Sequence, residues 1–273
     1  MTSDSPISVE QIKAAERVMG VTYTPEERAL MVDNLEGQID WARASRALEL
    51  PNSAPMALRF DPRLPGFRMP SDDGVELVQT HVGPVPEDPA DIAFATLPQL
   101  QNWIGSGALS SRRLTEIYLD RIERLNPVLH CFATVTPEVA LAEADAMDAL
   151  TRQGTSLGPL HGIPYGLKDL FDTSGVVTGW GAEPFSDRVP VADARVVTLL
   201  REAGAVLLGK TTLGALAYGD VWYGGKTRNP FNPEEGAAGS SAGSASATAA
   251  GLCAFSIGTE TLGSITSPCQ RCG

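Results

Sequence analysis

Asp193-Ala194-Arg195-Val196-Val197-Thr198-Leu199-Leu200-Arg201-Glu202-Ala203-Gly204-Ala205-Val206-Leu207-Leu208-Gly209-Lys210-Thr211 is the stretch that decides the fold. Asp193 can cap a helix whose inner face holds Val196, Val197 and Leu200. Gly204 stops that helix. Ala205 to Leu208 follows as a short apolar run, the pattern of a buried strand. Helix, glycine and strand in that order point to an α/β architecture. Toward the N-terminus, Leu114, Ile117, Tyr118, Ile122 and Leu125 mark one face of a helix expected to end before Pro127. Thr136-Pro137-Glu138 opens an alanine-rich helix that closes near Gly154. Toward the C-terminus, Gly239-Ser240-Ser241-Ala242-Gly243-Ser244 precedes Ala245, Ala247, Ala249, Ala250 and Leu252, which reads as a loop feeding a tightly packed helix.

The same region carries the chemistry. A serine hydroxyl is a weak nucleophile until a base takes its proton. A lysine serves as that base only where its surroundings hold it neutral. Lys168 follows Ile163-Pro164-Tyr165-Gly166-Leu167, an apolar stretch that would bury its stem. The glycine- and serine-rich loop at 239–244 and Ser264, in Gly258-Thr259-Glu260-Thr261-Leu262-Gly263-Ser264-Ile265, supply hydroxyls and close backbone N–H groups. Together these residues form the inventory of a serine hydrolase that uses lysine in place of histidine.

Composition narrows the class. The 273-residue chain is 43% hydrophobic and 20% charged, as a soluble globular protein is. It carries 33 acidic against 21 basic side chains, a formal net charge of -12, so direct binding to nucleic acid or an anionic membrane surface is not expected. No apolar run is long enough to span a bilayer, and Met1 to Glu10 is polar and acidic, which leaves the cytoplasm as the expected compartment. Cys131, Cys253, Cys269 and Cys272 make no disulfide framework, and the Cys269/Cys272 pair lacks the second pair a four-ligand metal site needs. No cofactor and no metal are expected.

Three blocks in order resemble the amidase signature family, which includes bacterial amidases, fatty-acid amide hydrolase and the A subunit of glutamyl-tRNA amidotransferase. They are Gly158-Pro159-Leu160-His161-Gly162-Ile163-Pro164-Tyr165-Gly166-Leu167-Lys168-Asp169, then Arg201 to Thr211, then Gly236 to Leu252. The resemblance runs from about Leu97 to the last residue. It implies a mixed β-sheet flanked by helices, with Lys168 as base, Ser240 as relay after a cis peptide bond and Ser264 as nucleophile. Ser240 is chosen over Ser241 by the family's 24-residue separation from the nucleophile; Ser241 would support the loop. Backbone N–H groups of Thr261, Leu262, Gly263 and Ser264 are the candidate oxyanion donors. The substrate implied is a small-molecule amide, cleaved through an acyl-enzyme. A homodimer or partner subunits would fit such an enzyme.

The chain departs from the family pattern in places. Relatives commonly read Thr-Asp-Thr-Gly-Gly-Ser-Ile-Arg where this chain has Thr259 to Thr266, so Leu262 replaces a glycine and Thr266 an arginine. If position 262 needs φ > 0, leucine is strained there. Ala242 also stands where glycine is usual. Gly273 falls nine residues after Ser264, and the expectation is that only the N-terminal part of the amidase domain is present.

The organisation expected is a helical pair over 1–50, a proline-rich connector over 51–90 and the amidase-like body over 91–273. Val9, Ile12, Ala15 and Val18 define the first helix, with Gly20 as its stop. Thr24-Pro25-Glu26-Glu27 caps a second helix reaching about Leu48, its apolar face built from Leu30, Val32, Leu35, Ile39 and Ala42. This pair faintly resembles the small C subunit of the tRNA amidotransferase. An amidohydrolase is the first functional reading. A glutaminase, as in the A subunit of the tRNA-dependent amidotransferase, is the second, and an inactive fragment or pseudoenzyme the third.

Overall fold

The structure, a computed structural model, describes residues 7–51, 54, 63–68 and 82–273. Most of the proline-rich connector, including Pro55, Pro62 and Pro70, lies outside the described residues. The chain divides into two compact units, Met1–Gly74 and Val75–Gly273.

In the first unit, α1 (Val9–Met19) and α2 (Pro25–Ala47) are both opened by capping boxes, from Ser8 with Gln11 and from Thr24 with Glu27. Gly20 ends α1 in the left-handed conformation, φ 69°. Arg28 of α2 grips Glu16 of α1 through two hydrogen bonds, at 2.5 and 2.7 Å. Of the apolar face expected on α2, Val32, Leu35, Ile39 and Ala42 are half-buried and none is fully buried, while Leu30 is 66% exposed.

The second unit runs α3 (Pro89–Ala93), α4 (Leu97–Gly105), α5 (Ser111–Leu129), β1 (Phe132–Val135), α6 (Pro137–Arg152), β2 (Pro164–Lys168), α7 (Arg195–Glu202) and β3 (Val206–Thr211). Two short hairpins follow, β4 (Val221–Trp222) with β5 (Gly225–Lys226) and β6 (Arg228–Asn229) with β7 (Asn232–Gly236). The last elements are α8 (Ala242–Ala249), β8 (Phe255–Ile257) and α9 (Thr266–Cys272). The main sheet has the order β1-β3-β2-β8. β2 lies parallel to β3 and to β8, while β1 is antiparallel to β3, so the sheet is mixed and the α/β class is correct.

The two faces of the sheet carry separate apolar clusters. Ile163, Val206 and Leu208 meet α4, α5, α6 and α8 in the larger core. Tyr165, Leu167 and Leu207 meet Val197 and Leu200 of α7 on the other side. Lys168, one step beyond Leu167, takes the opposite side, the α8 face.

Two local expectations are corrected. α5 runs through Pro127 to Leu129. The proline sits in the last turn, where losing one donor does not cut a continuing ladder, and Leu129 gains a buried position. Asp193 does not cap α7, whose N-cap is Ala194 without a side-chain bond. Its carboxylate instead accepts from Ser174 N at 2.8 Å and pairs with Arg201 at 2.5 Å.

Candidate active site

β2 and β8 are parallel neighbours, so their carboxyl ends emerge on the same edge of the sheet. Ligands of open α/β sheets bind outside such ends. Lys168 closes β2 there, fully buried. Its Nζ donates to Ser240 Oγ at 2.9 Å, Ser241 Oγ at 2.9 Å and Thr259 Oγ1 at 2.7 Å. Ser240 and Ser241 precede α8, and Thr259 follows β8, so two separate segments converge on one amine. The Gly239–Ser240 peptide is cis. Burial pulls the Lys168 amine down to about 8, against the opposing charge of Glu260.

The two serines of the loop are used differently. Ser241 Oγ also donates to Thr259 O and accepts from Thr259 N, each at 3.2 Å, so it ties the loop before α8 to the end of β8. Ser240 Oγ takes only the Lys168 bond among the described residues. Its remaining bonding capacity is open.

Ser264 is half-buried. Its carbonyl accepts from Ser241 N at 3.0 Å, which fixes its backbone beside the Lys168 cluster. Its hydroxyl makes no hydrogen bond among the described residues, so the side-chain link to Ser240 that the sequence predicts is not formed in this arrangement. The candidate oxyanion donors also differ from one another. Gly263 N–H is taken by the Glu260 carboxylate, whereas the N–H groups of Thr261 and Leu262 are not hydrogen-bonded among the described residues. Leu262 is not in the left-handed region; Gly263, at φ 91°, is the residue that needs glycine's freedom. The leucine side chain is 95% exposed and unstrained. Ala242 is fully buried in the first turn of α8 against Ala237 and Cys272, a place where a methyl group packs. Thr266 opens α9 and donates to Glu260 from its N–H, at 2.9 Å.

Thr259, which touches Lys168, and Glu260, the next residue, are not among the site residues expected from the sequence. The signal available for them was their place just after a strand parallel to β2. Asp169 faces away from Lys168: its carboxylate accepts from Gly179 N at 2.9 Å and lies 3.6 Å from the buried Lys210 amine. Burial raises the Asp169 carboxyl to about 6, with the Lys210 charge opposing it. An apolar cleft of about 540 Å³ adjoins the cluster, lined by Ser241 and Gly258 at one end and by Phe94, Phe255, Ile265 and Cys269 beyond.

Comparison with known proteins then decides the family. The family model described as Amidase matches residues 113–273. The chain belongs to the amidase family. This amidase-family chain is 41% identical over 181 residues to the A subunit of the glutamyl-tRNA(Gln) amidotransferase of Methylobacillus flagellatus, matching 65% of this chain and 37% of that protein. The native peptide amidase of Stenotrophomonas maltophilia superposes with a TM-score of 0.63 at 41% identity, over 66% of this chain and 39% of that one. A fatty acid amide hydrolase gives a TM-score of 0.63 at 25% identity, over 67% and 33%. The amidase-family chain thus spans less than two-fifths of the length of these relatives.

Proposed function

We propose that this amidase-family protein hydrolyses a linear carboxamide, with Ser264 as nucleophile, Ser240 as proton relay and Lys168 as base. The observation that carries the reading is the fully buried Lys168 amine, bonded to Ser240 and held near neutrality by burial. Rotation of the Ser264 side chain brings its hydroxyl to the open side of Ser240. Ser264 Oγ then attacks the amide carbon while its proton passes to Ser240 Oγ and the Ser240 proton passes to neutral Lys168. The carbonyl oxygen becomes an oxyanion that the free N–H groups of Thr261 and Leu262 can meet. One such donor contributes about 2.7–4 kcal/mol to lowering a barrier. The Lys168 ammonium returns its proton, by way of Ser240, to the leaving nitrogen, the C–N bond breaks, and an ester to Ser264 remains. Water activated by the same relay releases the acid. The apolar cleft beside Ser241 suits an acyl group with a hydrocarbon portion.

Two measurements test this. A fluorophosphonate probe should label the chain at Ser264 and fail to label Ser264→Ala, Ser240→Ala and Lys168→Ala. The labelling rate of the parent should rise with pH through about 8, because only the neutral amine accepts a proton. Labelling that persists in Lys168→Ala, or is flat across that range, overturns the mechanism.

The 41% identity to the A chain of an amidotransferase supports a second reading, a glutaminase that passes ammonia to partner proteins. Ammonia release from glutamine alone, dependent on a copurifying partner, would favour it. Release from simple amides by the isolated protein would favour the free-standing amidase.

A further inference from the structure

We propose that Glu260 is a positioning residue of this site: its carboxylate holds the turn that carries Ser264. The inference rests on the roles given above to Ser264 and Lys168. One carboxylate collects donors from both sides of Ser264. It accepts from Gly263 N, from Ile265 N at 2.6 Å and from Thr266 N at 2.9 Å, with Thr266 Oγ1 at 3.5 Å. Gly263, in its left-handed conformation, bends the chain so that these N–H groups converge. From behind, Ser241 N holds the Ser264 carbonyl. With its backbone fixed on both sides, Ser264 keeps side-chain rotation as its main freedom, the single motion the proposed reaction needs.

The charge has a separate part. Around Lys168, the loop at 239–241 and the start of α8 present hydroxyls. Asp169, the residue after β2, turns to Gly179 N and Lys210. Lys210, on the neighbouring β3, spends its amine on Phe171 O and Thr178 Oγ1. The segment after β8 contributes Glu260, whose charge favours the ammonium form of Lys168 against burial. The N–H groups of Thr266 and Ile265 keep the Glu260 carboxyl below its usual range, so it stays ionised wherever Lys168 titrates. Burial alone would leave Lys168 a weaker base; Glu260 lets it hold the proton it receives.

The test needs no turnover. In the full chain, NMR of labelled lysine side chains follows the Lys168 titration, assigned by its loss in Lys168→Met. Backbone amide shifts of Gly263, Ile265 and Thr266 are followed through the acid range. The three amides should move together with one midpoint below that of an ordinary glutamate, and this movement should vanish in Glu260→Gln, which keeps the shape and an acceptor. The Lys168 midpoint should fall in Glu260→Gln and return toward the parent in Glu260→Asp. Amides that titrate independently, a Lys168 midpoint unmoved by Glu260→Gln, or one that Glu260→Asp fails to restore would overturn the inference. Normal titrations in a chain that no fluorophosphonate labels would sink the hydrolase reading and leave the Glu260 clamp standing.

Discussion

Replacing Lys168 with methionine keeps the buried stem and removes the charge. The amine titrates at about 8 in the fold against 10.5 for the ordinary group, mainly through burial, a difference of about 2.5. At about 1.4 kcal/mol for each unit, burying the ammonium costs roughly 3 kcal/mol. The variant loses donors to Ser240, Ser241 and Thr259, which offsets part of this. Lys168→Met should therefore be inactive yet more resistant to urea at pH 7, by about 1 kcal/mol. The sign with pH follows from a folded value below the unfolded one. Below pH 8 both states bind the proton and the native state bears the full penalty. Between 8 and 10.5 the native state releases it first, so the parent gains stability as pH rises and the variant's advantage shrinks. Urea titrations of both proteins at pH 7 and pH 10 check this; a gap that stays constant would refute it. Lys168 and the 240–241 serines were legible in the sequence because a base after an apolar run and a packed glycine- and serine-rich loop are both local signals. Thr259 lies 91 residues from the amine it touches, and nothing local marks it. The direction of Asp169 was equally hidden, since the groups that hold it, Gly179 N and the Lys210 amine, come from separate segments of the chain.

At the scale of elements, β3 shows what decides the sheet. Its six residues are all buried, and Gly209 in its middle pairs with Val135 of β1. A Cβ on Gly209 would collide with Thr134 O and come within 2.9 Å of Val135 Cα, backbone atoms that cannot rotate aside. Gly209→Ala should destabilise the second unit by about 2 kcal/mol or more, as an overpacked core position does. Amide exchange should show the loss first in β1 and the start of α6, which hangs from β3 through Thr136 N to Leu208 O at 3.0 Å. Uniform loss of protection across all strands would instead mean global unfolding without a local break. The continuous apolar run of β3 and the helices with punctuated ends could be read in advance. β4 to β7 could not, because two-residue strands carry no period to read. The reach of α5 past Pro127 was hidden for a different reason. The proline rule describes a helix interior, and here the turn was already ending, closed by Asn126 Oδ1 accepting from Cys131 N and Phe132 N at 2.9 and 2.8 Å.

For the whole molecule, the two units differ in what holds them together. Val75–Gly273 has a continuous apolar core from Ile92 and Leu100 through Leu208 to Leu252. Among its described residues, Met1–Gly74 fully buries Ile12 and the Glu16 carboxylate, and its longer helix is at most half-buried. Burial that sparse along α1 and α2 gives these helices little to resist local opening. Every group that shapes the candidate site, namely Lys168, Ser240, Ser241, Thr259, Glu260 and Ser264, belongs to the second unit. The apolar clusters on both faces of β2, the strand that ends in Lys168, are drawn from the same unit. A chain starting at Val75 should keep the Lys168 midpoint near 8 and the common titration of the Gly263, Ile265 and Thr266 amides. In the full chain, amides of α1 and α2 should exchange well before those of β2 and β3, since local opening free energy follows buried apolar contact. NMR titration of the shorter chain and hydrogen exchange on the full one check the two halves of this expectation. A Lys168 midpoint that returns toward 10.5 once residues 1–74 are removed would show that the dry environment of the amine depends on more than the unit that carries it.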